Sequence, residues 1–162
     1  MLKIAVLISG RGSNMLRLAE AIDELRLDAE IVAVISNAVC AGVDIAAARG
    51  LPVQIIKRSS DDSRQNHDSA IAVAIDNSGA DFVFLAGYMA ILGRQFVEKY
   101  AGRLINIHPS LLPAYKGLNT HQRALDDKAI QHGATVHFVT TELDAGPIID
   151  RKSTRLNSSH VR

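Results

Sequence analysis

Residues 103–117 read RLINIHPSLLPAYKG, and within the apolar run Leu104, Ile105, Ile107 stand an asparagine and a histidine, Asn106 and His108. Side chains alternate faces along a strand, so Asn106 and His108 project to the same side, roughly 7 Å apart along the chain. Burying an amide and an imidazole together costs free energy unless both are hydrogen-bonded. Such a pair is either a satisfied polar patch of the core or a catalytic pair, with an amide donor and a proton carrier aimed at a reacting oxygen. Asp144, in ELDAGPII (142–149), is the carboxylate that would complete it. If its loop folds back over the strand end, it would favour the imidazolium form of His108. An acid in a turn is otherwise ordinary turn chemistry.

A second candidate is SGRGSN (9–14), between an apolar run and a helical pattern. Backbone N–H groups at a helix start, with the helix dipole behind them, attract a phosphate or carboxylate. The dinucleotide fingerprint G-x-G-x-x-G is incomplete, because Met15 stands where the third Gly belongs. The second strand ends in Ser36 and Asn37, where an NAD binder usually carries an acid. No Gly-Lys-Ser/Thr follows either, so a Walker loop is ruled out. What is left is a generic phosphate loop with Ser13 and Asn14 as added ligands, or a tight turn with a helix cap.

Six histidines raise the question of a metal, yet no helical i, i+4 pair with a carboxylate and no H-E-x-x-H occurs, so none is expected. His67 and His132 read as exposed, and His121 as a cap or packing residue near a helix start. His137 lies on TVHFV on the same face as Thr135, where both can support the reacting groups from behind. The absence of a G-x-S-x-G elbow argues against a serine nucleophile.

The elements that must carry these residues alternate. Strand patterns cover 3–8, 30–36, 51–56, 80–88, 104–107 and 133–140, and helical patterns cover 14–26, 41–50, 63–79, 93–102 and 120–127. In 14–26, Met15, Leu18, Ala19, Ile22 and Leu25 form the apolar stripe. Gly50 falls at a helix end and Pro52 at a strand start or edge. Alternation of this kind predicts one α/β domain, a mostly parallel twisted sheet with helices on both faces. Ligands of such sheets lie beyond the carboxyl ends of the strands, where all the unusual polar residues fall. A net charge of +1 with scattered cations gives no footprint for nucleic acid or a membrane surface. The longest apolar runs are too short to span a bilayer. One cysteine, Cys40, allows no internal disulfide and fits a reducing cytoplasm.

Taken together, LISGRGSN, GYMAIL, NIHPSLLP and ELDAGPI resemble the phosphoribosylglycinamide formyltransferase family, the folate-dependent formyltransferases of purine synthesis. The resemblance covers residues 1 to about 150 and implies a Rossmann-like formyltransferase fold. It also implies transfer of the formyl group of 10-formyltetrahydrofolate to the amino group of glycinamide ribonucleotide. By the same resemblance, Gly12, Ser13 and Asn14 would hold the substrate phosphate. Arg64 would contact the folate, Met89, Ala90, Ile91 and Leu92 would line its pterin pocket, and Thr140, Thr141, Glu142, Leu143 and Asp144 would close over it. Asn106, His108 and Asp144 would be the catalytic trio, Asn106 also touching the folate, with no metal required. Ala90 stands where the family often has Arg, at a position whose backbone serves the pocket. Further implied are a cytoplasmic enzyme, monomer or homodimer, with two small-molecule substrates and no nucleic acid or membrane partner. A formyltetrahydrofolate hydrolase would share the trio but carry an N-terminal regulatory domain. A methionyl-tRNA formyltransferase would carry a C-terminal RNA-binding domain. The family's further strand and helix beyond residue 150 have no counterpart in RKSTRLNSSHVR (151–162). That segment reads as a non-family, disordered tail on a chain lacking the C-terminal part of the domain, which leaves a catalytically dead folate-binding fragment as an alternative.

Overall fold

The computed structural model describes residues 1–108, 112, 114, 116–117, 120–127, 131–142 and 145–155. The chain's internal contacts divide it into two compact units, Met1–Leu104 and Ile105–Arg162. The first contains β1 (Leu2–Ile8), α1 (Ser13–Glu24), β2 (Ala29–Ser36), α2 (Ala41–Ala48), β3 (Val53–Ile55), α3 (Arg64–Ser78), β4 (Phe82–Leu85) and α4 (Arg94–Lys99). Its strands lie in the order β3-β2-β1-β4, and every pair is parallel. The α/β expectation is met, with strand limits within a few residues of those read from the pattern.

β1 shows why. Ala5, Val6, Leu7 and Ile8 are all fully buried, so both faces of the strand are covered and the sequence is continuously apolar rather than alternating. Val6 and Ile8 join Met15 and Ala19 of α1 and Val34 of β2 in one core cluster. Burying a side chain of this size is worth roughly 1.5–3 kcal/mol. The α1 stripe ends earlier than the pattern predicts: the helix stops at Glu24, and Leu25 is left 68% exposed. α3 begins as its sequence dictates, Ser63 Oγ accepting the Asn66 N–H at 3.0 Å, and ends at Gly79 in the left-handed region.

The strand order places a topological switch point in this unit. From β1 the chain steps outward through β2 to β3, then returns to lay β4 on the other side of β1. The loops leaving β1 and β4 therefore diverge and leave a crevice at their carboxyl ends. Beyond β4, the Val83 N–H donates to Arg103 O at 2.8 Å, aligning the residue just ahead of the next strand.

The second unit holds most of β5 (Leu104–His108), together with α5 (Thr120–Asp126), β6 (Gln131–Phe138) and β7 (Ile148–Arg155). Here pairing is antiparallel, β5 with β6 and β6 with β7. β6 begins and ends two residues earlier than the 133–140 pattern. Its last residue, Phe138, donates its N–H to Pro147 O at 2.9 Å where the chain turns back. Residues 151–155, expected in an irregular tail, instead extend β7 along β6, Arg155 pairing with Gln131 in register. Among the described residues no helix is long and apolar enough to cross a membrane.

Candidate functional site

In the first unit, the turn after β1 delivers Gly12, Ser13 and Asn14 together at the start of α1, as expected. Gly12 is the N-cap, at φ 72°, and no side chain caps the helix. No acidic residue stands in the first turn, and Ser13 and Asn14 are exposed. The end thus presents N–H donors and a positive dipole with no built-in anion, an arrangement that attracts negative charge. Gly42 was not singled out by the sequence reading, yet it makes this turn possible. Its N–H donates to Gly10 O at 2.9 Å, and a Cβ placed on Gly12 would sit 2.7 Å from Gly42 Cα. Two glycines meet backbone to backbone.

The loop after β4 reaches the same crevice. Met89 and Ile91 are 68% and 70% exposed, while Ala90 and Leu92 are half-buried. Apolar side chains left in water at a switch point form a surface suited to a flat, largely apolar ring. Arg64, the exposed first residue of α3, borders a cleft of about 560 Å³ whose wall also includes Asp68, Phe96 and Gly93, the residue that ends this loop. Asp68 is buried and accepts the Gly93 N–H at 2.8 Å.

Tyr88, just ahead of Met89, has a buried hydroxyl with no hydrogen-bond partner among the described residues. Burial first, and then the nearby charge of Asp68, push its phenol up to about 12 from 10.0. A phenol that ionises later folded than unfolded contributes stability below pH 10 that is lost as pH rises toward 12. Tyr88→Phe is expected to remove one late phenolate from an alkaline absorbance titration and to soften the loss of stability across that interval. A Tyr88 that titrates near pH 10 in the folded chain would refute this.

In the second unit, β5 runs unbroken through His108, and the register pairs Asn106 with His137 and His108 with Thr135. Thr135 and His137 are buried, and Asn106 is half-buried. The His137 Nδ1 lies 3.0 Å from Phe138 O; a carbonyl only accepts, so Nδ1 carries the proton. Thr135 Oγ1 accepts the Leu112 N–H at 3.0 Å, and Arg151 Nη1 donates to Leu112 O at 3.0 Å. Both backbone groups of Leu112, in the NIHPSLLP segment, are therefore engaged, the N–H by a residue predicted to support the site and the carbonyl by one predicted to lie in a tail. Thr140, Thr141 and Glu142 are exposed at the turn, Thr140 Oγ1 donating to Glu142 O at 3.3 Å. Leu143, Asp144 and the side chain of His108 lie outside the described residues, as do the side chains of His121 and His132.

One reading is corrected. His67 is buried, not exposed, its Nε2 2.7 Å from Ile56 O. The polar neighbours Asn66 and Asp68 hid an inward-facing position that a backbone carbonyl satisfies. Among the described residues no group of three or more His, Cys, Asp or Glu is placed to hold a metal.

Comparison with known proteins gives the family and the fold. Residues 2–160 match the formyl transferase family, a span that continues past residue 150. The chain is 46% identical over 149 residues to phosphoribosylglycinamide formyltransferase of Escherichia coli, covering 91% of this chain and 70% of that protein. It is 45% identical over 148 residues to the human trifunctional purine biosynthetic protein adenosine-3, covering 91% of this chain and 15% of that much longer one. The solved phosphoribosylglycinamide formyltransferase from Coxiella burnetii superposes with a TM-score of 0.92 at 44% identity, over 97% of this chain and 74% of that one.

Proposed function

The chain belongs to the formyl transferase family, and we propose that it transfers the formyl group of 10-formyltetrahydrofolate to the amino group of glycinamide ribonucleotide. The observation that carries this reading is the uncapped, acid-free N-terminus of α1 at the β1/β4 switch point, within a chain so similar to enzymes of that name. Gly12, Ser13 and Asn14 hold the ribonucleotide phosphate. Residues 89–92 receive the pterin and Arg64 meets the folate, and residues 140–144 add to folate binding on the same reading.

The substrate amine attacks the formyl carbon, and negative charge builds on the formyl oxygen. The Asn106 amide and a protonated His108 donate to that oxygen, stabilising the tetrahedral intermediate more than the ground state. His108 then passes a proton to the departing folate nitrogen and takes up in its place the proton that the attacking amine gives up, so the ring ends in the form in which it began. Asp144 orients the imidazole and favours its cationic form. Thr135 and His137 hold the strand and the segment after His108 from behind. Residues 1–150 carry the formyltransferase domain on this reading, and the substrates place it in the cytoplasm.

The test is formyl transfer by the purified chain, followed by the absorbance change of the folate product. Turnover that depends on both substrates is the expected outcome. Folate turnover indifferent to the ribonucleotide would mark hydrolysis instead. No turnover by a chain that melts cooperatively would make it a binding fragment.

A further inference from the structure

Ser9 is the residue immediately after β1, and its hydroxyl sits between two loops. Its Oγ accepts the Met89 N–H at 2.8 Å and donates to Asn37 Oδ1 at 2.7 Å. The hydroxyl's single proton is thus given to the Asn37 amide oxygen, while a lone pair of the same oxygen takes the Met89 N–H. Three residues from the turns after β1, β2 and β4, three adjacent strands, are thereby tied at one point. The far end of the β4 loop is tied too, Gly93 N–H donating to Asp68 Oδ2 at 2.8 Å, and a Cβ on Gly93 would come within 2.9 Å of that oxygen.

Between these two ties stand the exposed side chains of Met89 and Ile91. The backbone is held while the apolar groups are presented, an arrangement that lowers the ordering cost of binding. We infer that Ser9 is a positioning residue for the formyl donor, linking the phosphate-binding turn to the loop at residues 89–92. The inference rests on the reading of that loop as the pterin seat. It also gives a role to Asn37, the residue after β2: its amide oxygen accepts the Ser9 hydroxyl.

The test measures binding of 10-formyltetrahydrofolate by titration calorimetry, with no ribonucleotide present, for the parent chain, Ser9→Ala and Ser9→Thr, each checked for a parent-like cooperative melt. Ser9→Ala is expected to raise Kd roughly five- to tenfold, the scale of one lost hydrogen bond. Ser9→Thr, which keeps the hydroxyl, should stay within about twofold, and inorganic phosphate should bind all three alike. Should Ser9→Ala not fold, Asn37→Ala removes the other side of the same relay and should raise Kd about threefold. Unchanged folate affinity in a folded variant overturns the inference, as does a Ser9→Thr as weak as Ser9→Ala. A parent that binds the folate but transfers nothing defeats the proposed reaction while the Ser9 comparison still decides the positioning role. A parent that does not bind the folate defeats both.

Discussion

His108→Ala is expected to lower kcat for formyl transfer by about 10³- to 10⁴-fold while KM for either substrate moves by less than about threefold. The size follows from the two roles assigned to one ring. Removing a hydrogen-bond donor to a developing oxyanion costs on the order of 10²–10³ in kcat, and losing a positioned proton carrier about 10²–10⁴. The two losses overlap rather than multiply, because both act on one intermediate. The split between kcat and KM is diagnostic, since a group that works only in the transition state leaves ground-state binding intact. Asn106→Ala removes a donor but no proton carrier and should fall less, about 10²-fold. Steady-state kinetics of both variants beside the parent settle the matter. A His108→Ala chain within tenfold of the parent, or one weaker than Asn106→Ala in its effect, would remove His108 from the chemistry.

What the sequence made legible follows from the range of the physics involved. The six strands that it predicted sit within a few residues of observed strands because continuous apolar runs and period-two alternation are both local signals. β1 is the clearest case, with Ala5 through Ile8 all buried. The polar pair at Asn106 and His108 was visible because it broke such a run. By contrast, the role of Gly42 depends on α2 meeting the turn at Gly12 across 30 positions of sequence, and the roles of Ser9, Asn37 and Asp68 depend on loops from different strands meeting. None of these leaves a periodic trace. His67 was misread because burial satisfied by a backbone carbonyl needs no polar partner nearby in sequence. The strand at 151–155 was hidden for a related reason: a polar segment can pair with a neighbour through its backbone alone, and its composition still reads as a tail.

The glycines of SGRGSN allow a sharp comparison, because the two are equivalent in sequence and unlike in space. Gly12→Ala is expected to destabilise the chain by roughly 3 kcal/mol, lowering Tm by about 6–12 °C. Two costs combine: a left-handed backbone at φ 72°, worth roughly 1–2 kcal/mol to a side chain, and a Cβ 2.7 Å from Gly42 Cα. Backbone cannot swing aside as a side chain end would, so the helix–turn contact must open. Because Gly12 is also the N-cap of α1, the displaced turn should raise KM for glycinamide ribonucleotide at least tenfold while KM for the folate changes less. Gly10→Ala carries neither cost, having nothing within 4 Å of its Cβ and no positive φ, and should leave Tm within about 2 °C. Gly42→Ala has the clash without the φ cost, its Cβ lying 2.7 Å from Ile8 Cδ1, 2.9 Å from Gly10 O and 3.1 Å from Gly12 Cα, and should fall between the other two. Thermal melts of the three variants beside the parent rank them directly. Equal losses at Gly10 and Gly12 would mean that the turn is held by its sequence alone and not by its contact with α2, and the phosphate seat would then lose its structural basis.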